Sequence, residues 1–301
     1  MRIGLFVWIP LLFLISCETP VSSNQKVQIV STTNIIGNCL ENLLDTSIFE
    51  VQSLMGPGVD PHKYKATHTD IKLLNQADII VYNGLHLEGK MSQIFEKLSK
   101  SRKVVSIGKY VKKDRLILID SLANLYDPHI WFDISIWKEA LELAHKQILT
   151  WYPMAKTVKA KKYFKKLDRL SMWCTDELTS IPKKNRVLIT SHDAFSYLAQ
   201  NADLEIRALQ GISTVSEFGL KDIISLVDFV VDNKIPSIFI ENSIHPKSIQ
   251  SVIKGAEKKG HLVALGGELY SDALGNPGTP QGTYLGMIKH NVETIKKGLV
   301  K

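Results

Sequence analysis

The sequence predicts an α/β fold with two lobes, each a mostly parallel sheet with flanking helices, joined by one long helix. Short runs rich in β-branched residues alternate with helical patterns, once in residues 27–107 and again in residues 186–301. Such alternation is typical of βαβ units and a parallel sheet. Between the two series lies a single, much longer helical pattern. The 301 residues are enough for about two domains.

The N-terminal series consists of short apolar runs separated by amphipathic segments. The run DIIVY at 78–82, for example, is typical of a buried strand. Strands are predicted at 27–31, 49–55, 78–82 and 103–107, and helices at 33–44 and 68–76. The alternation pauses after Asp133.

A long helix is predicted from about Met154 to Ser180, just after Pro153 and ending before Pro182. At 1.5 Å per residue it would be about 40 Å long, enough to cross the whole molecule. One face is apolar, with residues at spacings of three and four: Phe164, Leu167, Leu170, Cys174, Leu178 and Ile181. The other face is rich in lysine, and we expect it to be solvated rather than to bind nucleic acid.

The C-terminal series repeats the pattern of the first. Strands are predicted at 186–190, 204–208, 236–241 and 261–265, and helices at 194–202, 220–233, 246–259 and 283–301. The predicted domains are therefore an N-terminal lobe at 27–152, a spanning helix at 153–182 and a C-terminal lobe at 183–301.

The first 26 residues are predicted to direct and tether the chain. Arg2 precedes an apolar run at 3–15, which is shorter than the roughly 20 residues of a membrane span and fits a secretory signal. The run closes at Ser16-Cys17, which resembles a bacterial lipobox with Cys17 as the lipidated residue; the alternative is an ordinary cleaved signal. Residues 1–17 are thus the signal and 18–26 a tether. We expect an extracytoplasmic, membrane-anchored protein on the periplasmic or cell-surface side, with no nucleic-acid partner.

Four polar positions lie near strand ends, where ligands bind in open α/β sheets. His62, His192 and Asp272 each follow a predicted strand, and His129 closes the N-terminal half. Three imidazoles and one carboxylate form a plausible closed site for Zn²⁺, and a carboxylate that binds through both oxygens would suit Mn²⁺ better. A metal-bound histidine needs an acceptor on its second ring nitrogen. The candidates for such supporting groups are Asp60, Asp127, Asp193 and Glu241.

Each histidine alone is weak evidence, since a single loop histidine is more often structural or solvated. His68 is interpreted as a polar residue at a helix start. The remaining histidines are expected to be surface or structural residues: His86, His145, His245, His261 and His290. Cys39 and Cys174 lack metal-binding spacing and are expected to be small buried residues, although their pairing is left open.

Several segments together resemble the zinc- and manganese-binding receptors of ABC transporters, the TroA-type family. They are GPGVDPHKYKATHTDIKLLNQADIIVYNGLHLE, DPHIWFD, ITSHDAFSYLA, LQGISTVSE, IPSIFIENSI and GGELYSDALG, within residues 27–300. The resemblance implies two lobes joined by a rigid spanning helix, and one metal ion between them bound by His62, His129, His192 and Asp272. It also implies a monomer that delivers the ion to a membrane permease and is not an enzyme.

Two differences from the family pattern leave the identity of the bound metal open. Strongly zinc-selective relatives carry a long acidic, histidine-rich loop where this chain has only residues 84–90, and manganese-selective relatives often have glutamate at the position of His192. Zn²⁺ and Mn²⁺ both remain candidates for the bound metal, and the sequence does not distinguish Fe²⁺ from them. Two other functions remain as alternatives: a surface adhesin with a stabilising metal, and a zinc hydrolase. The hydrolase is disfavoured because the sequence has no HExxH motif.

Overall fold

The computed structural model describes residues 26–155 and 158–300, and it confirms the predicted α/β class. In the N-terminal half, four parallel strands pair in the order β2-β1-β3-β4. The elements are β1 (Val27–Thr33), α1 (Asn34–Leu43), β2 (Phe49–Met55), α2 (His68–Gln76), β3 (Ile79–Tyr82), α3 (Ser92–Leu98) and β4 (Lys103–Ser106). An antiparallel hairpin of β5 (Leu118–Asp120) and β6 (Leu125–Tyr126) follows, and then α4 (Ile134–Trp151).

Hydrogen bonds from backbone N–H groups to polar side chains mark the starts of α1 and α2. The Thr33 side chain accepts from the backbone N–H of Ile36 and caps α1. Thr67 and Asp70 form a capping box at the start of α2. Each such bond satisfies a backbone donor that the helix itself leaves unpaired.

The predicted long helix is α5, which begins at Val158 in the described chain and ends at Thr179. It packs against α1 and α4 of the N-terminal half and against the last helix of the C-terminal half. Its buried side chains include Tyr163, whereas Phe164 of the predicted apolar face is only half-buried. The contacts agree with a helix that joins two lobes, and the domain boundaries themselves stay a prediction.

The C-terminal half contains two parallel strand pairs. Its elements are β7 (Val187–His192), α6 (Ser196–Gln200), β8 (Glu205–Gln210), α7 (Leu220–Asp232), β9 (Ser237–Glu241), α8 (Lys247–Lys258), β10 (Ala264–Leu269) and α9 (Tyr284–Leu299). β7 pairs with β8, and β9 with β10. The strand predicted at 261–265 begins three residues later, at Ala264, and extends to Leu269 through a register shift between Leu265 and Gly267.

The largest core cluster continues from one half to the other, as shown by Leu40, Leu167 and Ile295. Cys39 and Cys174 are buried in it as free thiols, so the expectation of small buried residues is confirmed. No helix of the described chain is both long and apolar enough to cross a membrane. The predicted signal, tether and Cys17 lie outside the described residues.

Candidate metal centre

The structure brings together the four side chains that the sequence predicts as ligands. His62 lies in the loop after β2, and His129 directly precedes a short 3-10 turn at Ile130–Phe132. His192 is the last residue of β7, and Asp272 follows β10. All four are at most 4 % exposed. One ligand atom from each lies within 4.8 Å of the others, so two residues from each half of the chain meet at one buried point.

The ring nitrogens and the carboxylate face one another at distances too long for covalent bonds and short enough to surround an ion. The Nε2 atoms of His62 and His129 are 3.3 Å apart. Asp272 presents Oδ1 to His129 Nε2 at 3.4 Å and Oδ2 to His192 Nε2 at 3.3 Å. His62 Nε2 is 4.0 Å from Oδ2. Because each carboxylate oxygen faces a different histidine, Asp272 can offer one or both to a cation.

Three of these polar atoms lack hydrogen-bond partners in the described part of the protein. His192 Nε2 and both Asp272 oxygens are buried without one. Unsatisfied buried polar atoms are rare and destabilising, and a bound ion is one way in which proteins satisfy them. Imidazole and carboxylate are ligands for Zn²⁺ and for Mn²⁺. The group could therefore hold one ion.

The two histidines of the N-terminal half have opposite pKa shifts. Burial, reinforced by the other two histidines, lowers the pKa of His62 to about 3, although Asp272 opposes the shift. Burial also disfavours charge on His129, but Asp127 and Asp272 outweigh it and raise its pKa to about 9. Without a bound ion, His62 is therefore neutral near neutral pH, whereas His129 is doubly protonated and positively charged.

The two groups of the C-terminal half form an ion pair in the absence of metal. Burial opposes charge on His192, yet Glu241 and Asp272 together raise its pKa well above the usual range. Burial would likewise raise the pKa of Asp272, but His192 and His129 hold it well below the usual range. A divalent cation would replace the protons as the positive charge beside Asp272.

Two carboxylates orient the ligand rings from behind. Asp127 Oδ1 lies 2.7 Å from His129 Nδ1 and also accepts from the His129 backbone N–H. Glu241, at the end of β9, lies 2.5 Å from His192 Nδ1 through Oε2, while its Oε1 accepts from the backbone N–H groups of Ser191 and His192. Each carboxylate keeps a proton on Nδ1 and so directs Nε2 toward the centre.

The other two predicted supporting residues have different positions. Asp60 accepts from the His62 backbone N–H through Oδ1 and from the Thr214 hydroxyl through Oδ2, at 2.9 and 2.6 Å. Asp193 accepts from the hydroxyl of Ser196. Neither carboxylate has a hydrogen bond to a ligand ring among the described contacts.

Contacts between the halves surround the centre, and sequence reasoning missed their roles. The Thr214 bond to Asp60 connects a loop of the C-terminal half to the His62 loop. The Trp131 indole N–H donates to the Ser271 carbonyl at 3.0 Å, beside Asp272. Thr214 lies in the LQGISTVSE segment, but only the folded chain shows which side chain it meets. His68 is exposed at the start of α2, as the sequence predicts.

This fold and this site are those of the α/β proteins that bind metal ions for uptake. The chain belongs to the ZnuA family: the family model described as zinc-uptake complex component A, periplasmic, matches residues 29–298. It is 42% identical over 281 residues to the manganese-binding lipoprotein MntA of Bacillus subtilis, covering 92% of this chain and 91% of that protein. It is 26% identical over 313 residues to the manganese ABC transporter substrate-binding lipoprotein PsaA of Streptococcus pneumoniae, covering 99% and 98%.

A solved structure agrees with both fold and family. The periplasmic zinc-binding protein TroA from Treponema pallidum matches with a TM-score of 0.87 and 39% sequence identity. The match covers 91% of this chain and 99% of the TroA chain. The match therefore spans nearly the whole solved chain and most of this one.

Proposed function

We propose that the protein captures one Zn²⁺ or Mn²⁺ ion outside the cytoplasmic membrane and delivers it to the permease of an ABC transporter. The observation that carries the proposal is the buried cluster of His62, His129, His192 and Asp272, whose facing polar atoms include three without a hydrogen-bond partner. The relatives support the transport role, since PsaA is named as the substrate-binding lipoprotein of a manganese transporter.

We infer that the ion is cargo and that the protein is not an enzyme. Catalytic zinc sites keep one position open for water and need a general base nearby. Here Asp127 and Glu241 already accept hydrogen bonds from ligand histidines. No feature of the described residues favours an adhesin or a hydrolase.

We further propose that Cys17 carries a lipid that holds the protein on the outer face of the membrane as a monomer. The lipobox-like Ser16-Cys17 supports this, as do the names of the lipoprotein relatives MntA and PsaA. The two predicted lobes, 27–152 and 183–301, would lie on either side of the ion, joined by the rigid helix at 153–182.

Metal titration of the purified residues 26–301 tests the site. Competition with a chelator should give one Zn²⁺ or Mn²⁺ per chain for the wild type. His192→Ala should weaken affinity at least about 100-fold, because a buried ligand is lost and about 1.4 kcal/mol corresponds to tenfold. His68→Ala, at an exposed position on α2, is the matched control and should bind normally. Unchanged binding by His192→Ala would remove the site assignment.

A further inference from the structure

We propose that one end of the N-terminal lobe lies on the anionic phospholipid surface of the membrane to which the protein is anchored. We call this end the anchor-side face, and it consists of Lys26, Lys103, Trp151, Met154, Val158, Lys159 and Lys162. The proposal rests on the anchored location proposed above, but it concerns a surface that the metal site does not use.

The start of the described chain and the α4–α5 connection lie at the same end of the lobe. Val27 pairs with Phe49 across the β1–β2 ladder. The Phe49 ring lies 5.5 Å from the ring of Tyr152, in edge-on contact, just beyond α4. Lys103, which begins β4, donates to the Tyr152 hydroxyl at 3.1 Å. The tether would therefore leave the lobe beside this connection.

The connection exposes apolar side chains among basic ones. Met154 is 90% exposed and Val158 is 77% exposed. Lys103 lies over the rings of both Trp151 and Tyr152. Apolar and aromatic residues flanked by lysine are typical of surfaces that enter the membrane interface.

The charge of this end is mixed but mainly basic. Four carboxylates belong to residues at or near the same strand ends, namely Glu41, Asp45, Glu50 and Asp78; Asp78 accepts from the Gln28 backbone N–H, and Lys159 donates to the Glu41 carbonyl. The basic residues before β1, at the start of β4 and in the first turns of α5 are more numerous: Lys26, Arg102, Lys103, Lys159, Lys161 and Lys162. Each lysine close to an anionic bilayer strengthens binding about fivefold, which favours acidic phospholipid over a neutral surface.

The tether keeps this face close to the bilayer. Eight residues lie between Cys17 and Lys26, so the distance from one to the other is at most about 30 Å in a fully extended chain. A short tether makes even a weak contact frequent, because it raises the local concentration of its target. β1 runs from this end toward the metal centre, so a protein resting on the face would open its cleft to the external medium. Delivery to the permease would then require the face to detach.

Vesicle flotation tests the proposal with purified residues 26–301. The probes are vesicles of phosphatidylcholine alone and vesicles that also contain phosphatidylglycerol, at low ionic strength and millimolar lipid. The wild type should float only with the anionic vesicles. Lys159→Glu/Lys162→Glu should reduce its partition at least about twentyfold, because two favourable charges are lost. Met154→Asp should also reduce it.

The matched control is Lys254→Glu/Lys258→Glu, which makes the same charge change at exposed positions on α8. It should float like the wild type. Equal partition of the two double variants, or equal flotation with both lipids, would overturn the proposal. Metal stoichiometry is measured on the same samples. If the wild type does not float but still binds metal, only the role of the anchor-side face is overturned. If the wild type binds no metal, the proposed function is overturned.

Discussion

Glu241→Gln should weaken metal binding about 10- to 100-fold without disrupting the fold. Glu241 lies 2.5 Å from His192 Nδ1 and accepts two backbone N–H groups at 2.8 and 2.9 Å. Glutamine has the same shape, but its amide nitrogen donates, so this nitrogen would face another donor, which is either Nδ1 or the pair of backbone N–H groups. If that donor is Nδ1, the His192 proton must move to Nε2, the atom that we assign to the metal. Supporting groups of this kind typically contribute 10- to 100-fold to metal affinity.

Asp193→Asn is the matched control for this prediction. Asp193 is also a carboxylate beside His192, although it is half-buried and Glu241 is buried, and it accepts from Ser196 and not from a ligand ring. The same chemical change there should alter affinity less than about threefold, within the range of ordinary surface substitutions. Both variants are titrated against a chelator, and the melting temperature is measured without metal to verify folding. Equal losses for the two variants, or no loss for Glu241→Gln, would refute the reasoning.

Three further predictions concern the cleft, the protons and the thiols. Thr214→Val should speed metal release about tenfold, as expected for a hydrogen bond to a charged group, while Ser213→Ala should not; stopped-flow chelation measures both rates. Because the pKa of His129 is raised to about 9 and that of His192 is also raised, metal must displace a proton from each ring, so affinity should rise between about tenfold and about 100-fold per pH unit from pH 6 to 9; a flat titration would contradict this. Burial raises the pKa of Cys39 to about 11 and of Cys174 to about 12, so a thiol reagent should modify two cysteines of residues 26–301 only after unfolding.

The pH prediction extends to stability without metal. The raised pKa of His129 means that its stabilising ion pair with Asp127 and Asp272 is fully present below the unfolded value of about 6.5. It is lost as pH rises through about 9. The metal-free protein should therefore melt at a lower temperature at pH 9.5 than at pH 7, which differential scanning calorimetry measures.

β2 and α2 are among the elements that the sequence predicts best, and α2 has a local signal at its start. β2 and α2 occur at the predicted residues, and α2 is bounded by the Thr67–Asp70 capping box. α4 was missed even though Asp133 caps it by accepting from the backbone of Ser135 and Ile136. A pause is predicted there because the strand pattern stops after Asp133. A helix that directly follows the His129 loop is not marked by a break in the hydropathy of the sequence.

Some features of the site can likewise be predicted from the local sequence, whereas others depend on the tertiary fold. The four proposed ligands lie near strand ends, and parallel strands bring such ends together. The supporting carboxylates were indistinguishable in the sequence, because Asp60, Asp127 and Asp193 each lie within two residues of a ligand histidine. Only the fold shows that Asp127 reaches the ring of His129, and that Asp60 instead meets Thr214, which is far along the chain.

X-ray absorption spectroscopy of the metal-loaded protein tests the central claim most directly. With Zn²⁺ in residues 26–301, we expect nitrogen and oxygen neighbours at about 2.0–2.2 Å, and outer-shell scattering from three imidazole rings. His192→Ala, loaded at high metal concentration, should show two rings. A spectrum with sulfur neighbours, or with fewer than three imidazoles in the wild type, would contradict binding by His62, His129, His192 and Asp272.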